Sequence, residues 1–231
     1  MTAMVPAGRF ITFEGGEGVG KSTQIRLLGE RLRRAGLAVR LTREPGGSPR
    51  AERIRDFLMA GRARALGPLA EAMLFSAARI DHVDTVIRPA LRAGEWVLCD
   101  RFADSTRAYQ GVNGGLDPQL LARLEEVTLD GLKPDLTVIL DLPPLLGLQR
   151  AAARRGDGAP DRFESEDLAF HMRLRDAFLA IARAEPERCV LVDASGDAES
   201  VARTIFSALV ARLGDAVVAA PAPAAGAAAH G

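Results

Sequence analysis

The sequence predicts an α/β chain of three layers, with a parallel sheet of about five strands flanked by helices. Three observations carry this. Short apolar runs alternate with stretches of helical spacing, a glycine-rich loop joins the first run to the first helical stretch, and no internal repeat breaks the alternation. Strands that are apolar throughout need cover on both faces, which crossover helices supply.

The first strand, 9–14, holds Phe10, Ile11 and Phe13 and runs straight into glycines, as a buried strand ending in a tight loop does. From Lys21, Ile25, Leu28 and Leu32 recur at helical spacing, and Arg33, Arg34 and Gly36 supply a cationic last turn and a glycine stop. A strand is expected at 38–41, a helix at 51–59, one long helix or two at 69–92, and a strand at 96–99. After a helical stretch near 118–129 come a strand at 136–140, helices at 145–155 and 168–184, a strand at 189–192 and a last helix over 199–213. One domain over 1–214 accounts for these elements. Residues 215–231 are nearly all Ala, Pro, Gly and Val, and read as a disordered tail with little to bury.

Among the 231 residues, 48% are apolar and 26% charged, the usage of a folded globular chain. Thirty basic residues balance thirty acidic ones, so the net charge draws the chain to neither nucleic acid nor an anionic membrane, and any anion site is local. Cys99 and Cys189 sit in apolar runs without zinc-type spacing, which points to burial in a reducing compartment. No apolar stretch is long enough to cross a bilayer, and 1–9 lacks the charged start and apolar run of a signal peptide; the expected location is the cytoplasm.

Gly15, Gly16, Glu17, Gly18, Val19, Gly20, Lys21 and Ser22 match the G-x-x-x-x-G-K-[ST] pattern, after a strand and before a helix, where that pattern has a mechanism. Backbone N–H groups freed by the glycines converge on phosphate oxygens, and the helix N-terminus adds its positive dipole. Lys21 reaches the terminal phosphates and Ser22 offers magnesium a hydroxyl. With Thr23 these residues form the expected nucleotide-binding segment; a glycine-rich turn with a chance lysine is the weaker alternative. The strand at 96–99 delivers Asp100 to the sheet edge, where ligands of open α/β sheets bind, as a metal carboxylate. Asp141 fits the same description, so position must decide between them. Asp81 and His82 lack ligand spacing to another histidine and receive no metal.

At several separated places between 9 and 213 the chain resembles the thymidylate kinase family. The matching segments are Phe13-Glu14-Gly15 leading into the loop, Thr42-Arg43-Glu44-Pro45-Gly46-Gly47, residues 75–79, Asp100-Arg101-Phe102, 105–111 and Asp161-Arg162-Phe163-Glu164. The resemblance implies a P-loop nucleotide kinase fold and transfer of the γ-phosphoryl group of ATP, with magnesium, to thymidine 5′-monophosphate, supplying thymidine triphosphate synthesis. It also implies a homodimer. Other acceptors, whether nucleosides or nucleoside monophosphates, and a nucleotide-dependent switch or binding module are the rival readings.

Residue roles follow from the same resemblance. Phe75 and Arg79 are four apart on a helix and share a face; spacing alone fits core packing and a solvated arginine, whereas the family holds thymine there. Arg101 is implied as the clamp on the acceptor phosphate, which a planar cation suits. Ser105, Thr106, Tyr109 and Gln110 fall on the acceptor-binding helix, with Tyr109 under the deoxyribose, excluding a 2′-hydroxyl. Glu17 faces the acceptor sugar, and Arg43, Glu44 and Pro45, which read first as part of a turn, line the acceptor phosphate pocket. One family branch carries arginine at the position of Gly18, so the glycine implies that the missing charge comes from a lid at about 150–163. That segment holds Arg150, Arg154, Arg155 and Arg162. Lys21, Arg101, Arg155 and Arg162 are the expected catalytic cations, and Arg150 is expected at ATP.

Overall fold

The computed structural model describes residues 8–156, 158 and 162–218, the side chains of 215–218 excepted. β1 (Phe10–Glu14) is buried at every residue because it lies mid-sheet. α1 (Lys21–Arg34), β2 (Val39–Arg43) and α2 (Pro49–Met59) follow, the last capped by the Ser48 hydroxyl accepting from Ala51 N. α3 (Gly67–His82), a π turn at Val83–Ile87 and α4 (Arg88–Arg92) form one helical run, whose loosened centre precedes Pro89, a residue with no N–H to donate.

β3 (Trp96–Asp100) leads into α5 (Ala103–Thr106) and a π stretch, Arg107–Asn113. α6 (Pro118–Leu129), β4 (Leu136–Asp141), α7 (Pro144–Arg155), α8 (Leu168–Ala184), β5 (Cys189–Asp193) and α9 (Ala198–Val218) complete the order. α9 runs past the expected end at 213, bending at Leu213 (φ −131°), so the tail begins later than the composition indicates. The rest of the expected tail, 219–231, lies outside the described residues.

All five strands are parallel, in the order β2-β3-β1-β4-β5. Ile11 and Phe13 on β1 pack with Leu98, Val138 and Val192 under α1 and α9, whose Ile25, Leu28, Ile205 and Leu209 face them. Phe10, Val97 and Cys99 point to the opposite layer, against Val83, Ile87 and Phe102, and Ile139 meets Leu174 and Phe178 of α8. The edge strand β2 departs from expectation. Arg40, Leu41 and Arg43 are exposed because one side of the strand and part of its faces are uncovered. Both thiols are buried and free, and no helix among the described residues is long and apolar enough to cross a membrane. Parallel strands deliver their last residues, Glu14, Arg43, Asp100, Asp141 and Asp193, to one edge, where the site forms.

Candidate active site

Between β1 and α1 the phosphate loop bends through Gly18 at φ +67°, and a Cβ there would lie 1.9 Å from the carbonyl oxygen of Gly147 on α7. Reciprocally, a Cβ on Gly147 would lie 2.4 Å from the Glu17 carbonyl oxygen, so loop and helix touch backbone to backbone. Lys21 Nζ donates to the carbonyls of Gly15 (3.1 Å) and Gly16 (2.7 Å), bracing the loop from inside. Burial, and then the charge of Arg101, lower the Lys21 ammonium to about 8, against the opposing pull of Glu17, Asp100 and Glu14.

Loss of that proton has a kinetic signature. In the free protein kcat/KM for ATP should fall as pH rises through about 8, while kcat breaks at higher pH because bound triphosphate restores the charge. A kcat/KM profile flat between about pH 7 and about pH 9.5 would contradict a lowered Lys21.

Position separates the two candidate carboxylates. Ser22 Oγ donates to Asp100 Oδ2 at 2.7 Å beside the loop, whereas Asp141 is held bidentately by Arg175 at 2.6 and 2.9 Å. A hydroxyl with one carboxylate is the sparse, all-oxygen set that suits magnesium carrying its own waters and phosphates. Among the described residues no cluster of three or more His, Cys, Asp or Glu competes for a metal.

Across β3, Arg101 takes a left-handed backbone (φ 67°). Its Nη2 donates to Glu17 Oε1 at 2.7 Å, and Nη1 to the Gly15 carbonyl at 3.1 Å and Ser105 Oγ at 3.3 Å. The Tyr109 hydroxyl donates to the same Glu17 oxygen at 2.6 Å. Burial alone would raise the Glu17 carboxyl, but Arg101, Lys21 and the Tyr109 hydroxyl outweigh it and hold the group at about 2. Glu14, to which the sequence reading gave no role, underpins this geometry. It accepts from Phe102 N (2.7 Å), Ser105 N (3.3 Å) and Ser105 Oγ (2.6 Å), anchoring the turn that carries Arg101. Burial first, and Asp104 next, raise it to about 7. Its signal was an acid ending an otherwise apolar central strand.

Arg79 is buried rather than solvated. Nε donates to Glu44 Oε2 at 2.6 Å, and Nη2 to the Phe102 carbonyl and Thr106 Oγ1, both at 3.1 Å. His82 braces Glu44 from behind at 3.0 Å and meets Thr42 Oγ1 at 2.6 Å. Phe75, Arg79, Thr106, Tyr109 and Gln110 line one cavity of about 420 Å³ with Lys21, Ser22, Asp100 and Arg101. Arg43 and Pro45 reach its rim, as does Arg55, a cation that sequence reasoning missed, which donates to the Pro45 carbonyl at 2.7 Å.

A family model for thymidylate kinase matches residues 13–205. The chain belongs to the thymidylate kinase family. The thymidylate kinase of Nitrobacter winogradskyi is 63% identical over 202 residues, covering 87% of this chain and 88% of the relative. That of Bradyrhizobium sp. (strain ORS 278) is 60% identical over 213 residues, covering 92% and 94%. The crystal structure of thymidylate kinase from Ehrlichia chaffeensis superposes with a TM-score of 0.71 at 34% identity, covering 88% of this chain and 100% of that one.

The segment expected to form a lid, 150–163, differs in detail from that expectation. Of the four arginines expected in a lid, Arg154, two-thirds exposed, lines the cavity. Arg155 pairs with Glu164, and Arg162 with Glu71 on α3, so these two expected phosphate ligands are turned to carboxylates away from the cavity lining. Arg150 donates to the carbonyls of Ala194 (2.8 Å) and Ser195 (3.0 Å) beyond β5. Residues 157 and 159–161, in the middle of the expected lid segment, lie outside the described residues.

Proposed function

We infer that this cleft moves the γ-phosphoryl group of ATP onto the 5′-phosphate of thymidine monophosphate, releasing ADP and thymidine diphosphate. One observation carries the reading: Glu17, inside the phosphate loop, is bonded at 2.7 Å by Arg101 and at 2.6 Å by Tyr109 from the acceptor side. A carboxylate beside polyphosphate is unfavourable unless it is engaged elsewhere, and here its partners open onto Phe75 and Arg79.

Loop amides from Gly15 to Gly20, with Lys21 and Thr23, would take the triphosphate, and Arg150 its base side. Asp100 and Ser22 would hold magnesium, which when bound neutralises charge on the β- and γ-phosphates. Arg101 positions the acceptor phosphate for in-line attack, Arg43, Glu44 and Pro45 frame it, and Ser105 supports Arg101. Phe75, Arg79, Thr106 and Gln110 take the base, and Tyr109 the sugar. No general base is needed, because the acceptor phosphate already carries nucleophilic oxygens. Arg154 is the lid cation best supported as a phosphoryl ligand; Arg155 and Arg162 would have to exchange their carboxylates for phosphate to serve as expected.

Exposed Leu69, Met73 and Ile80 on α3, beside Leu120 and Val127 on α6, support a homodimer through that face. We read 1–214 as one kinase domain working in the cytoplasm. ADP release with a panel of acceptors tests the function: thymidine monophosphate should exceed AMP, GMP and deoxynucleosides in kcat/KM. Bound nucleotide without acceptor-dependent turnover would support a switch instead.

A further inference from the structure

One buried carboxylate has no part in that account. Glu71 lies on α3 one helical turn before Phe75, is 6% exposed, and is not among the residues lining the cavity. Its oxygens are divided between two partners. Oε1 accepts from Arg162 Nη1, and Oε2 accepts from Gln110 Nε2 at 3.1 Å. A carboxylate paired with a guanidinium has only acceptors to offer, so it can meet the NH2 of the Gln110 amide but not its carbonyl. Gln110 is itself 3% exposed and lines the cavity, which leaves Oε1 as the amide atom available to a ligand.

Arg79 stands across the same cavity and can only donate. The groups of the base pocket with a fixed sense are therefore one donor, Arg79, and one acceptor, Gln110 Oε1, beside the Thr106 hydroxyl, which already accepts from Arg79 Nη2 at 3.1 Å. Thymine matches this pattern, since its O4 accepts and the adjacent N3–H donates. Cytosine has nearly the same shape but inverts both positions, with an amino group that donates and an N3 that accepts. Shape separates the two bases poorly, whereas a wrongly paired buried polar group separates them strongly.

We propose that Glu71 is a positioning residue for base specificity: by holding the Gln110 amide in one orientation it makes the pocket reject cytosine. The proposal rests on the acceptor-base reading above. Glu71 touches no substrate and acts through Gln110, and Arg162 supplies the cation that a carboxylate so buried requires.

The test is the ratio of kcat/KM for dTMP to that for dCMP, measured on the full chain as wild type and as Glu71→Gln. Glutamine keeps the shape but can turn either end of its own amide to Gln110, releasing the constraint. The ratio is expected to fall on the order of 100-fold, through a higher KM for dTMP and a gain with dCMP. Loss of packing alone would lower both acceptors together, so an unchanged ratio overturns the proposal. Glu71→Met, which removes the acceptor without adding a donor, is the second variant for the same ratio should the first not fold. Wild-type protein that does not prefer dTMP to dCMP would overturn the acceptor reading itself, and this proposal with it.

Discussion

Arg101→Gln is expected to lower kcat/KM for thymidine monophosphate on the order of 10³-fold, with the larger share in kcat, because a positioned cation on a phosphate is worth more as charge redistributes than at rest. The left-handed backbone at 101 is not the cause, since glutamine inherits the same φ of 67°. The side chain is. Arg101 joins Glu17, the Gly15 carbonyl and Ser105, so its loss removes the proposed acceptor clamp and the strongest cationic partner of buried Glu17, leaving Lys21 and the Tyr109 hydroxyl beside it.

Stability should change as well, with a sign that follows from Glu17. Its folded value of about 2 lies below the ordinary carboxyl value of 4.5, so its ionised form stabilises the fold above pH 4.5, and that contribution is lost as pH falls through about 2. The difference corresponds to about 3 kcal/mol, much of which depends on Arg101. Urea titrations should therefore show the variant less stable at pH 7, with the gap narrowing as pH drops below 4.5. A gap independent of pH would mean that Glu17 is not what Arg101 stabilises.

Gly18→Ala should cost roughly 100-fold or more in kcat/KM for ATP, although it adds a single methyl group. The new Cβ would sit 1.9 Å from a backbone oxygen of α7 at a φ of +67°, so either the loop or the helix must shift. A displacement near an ångström is enough to misalign amides that have to converge on phosphate. Binding of a fluorescent ATP analogue and steady-state kinetics measure the effect. An alanine variant with unaltered KM for ATP would show that α7 can retreat without consequence. The same clash means that a longer side chain has no room here, so charge for the phosphates must come from other segments.

Much of this could be read from the chain. Each predicted strand and long helix is present, because buried parallel strands leave short unbroken apolar runs and amphipathic helices leave apolar residues three and four apart. The strand order could not be read: β3 inserts between β1 and β2, and pairings between residues as distant as Phe10 and Val97 leave no local mark. At the site, the loop and Asp100-Arg101 were legible as motifs, while the preference for Asp100 over Asp141 needed the 2.7 Å contact to Ser22 and the Arg175 pair. Glu14 and Glu71 escaped notice because a buried acid is meaningful only once its partners are known, and they come from segments up to 91 residues away. The lid arginines were countable, but their directions were not, since carboxylates remote in sequence or in the next turn capture Arg162 and Arg155.

The strand order has one more consequence. β1 divides the working edge, with α7 and the turn after β5 on one side and the segments following β2 and β3 on the other. Strands lie about 4.8 Å apart and are rigidly paired, so insertions after β2 or β3 leave the backbone beyond β4 where it was. On the proposed roles, most base contacts therefore sit on the segments after β2 and β3, apart from the backbone that carries Arg150 and Arg154.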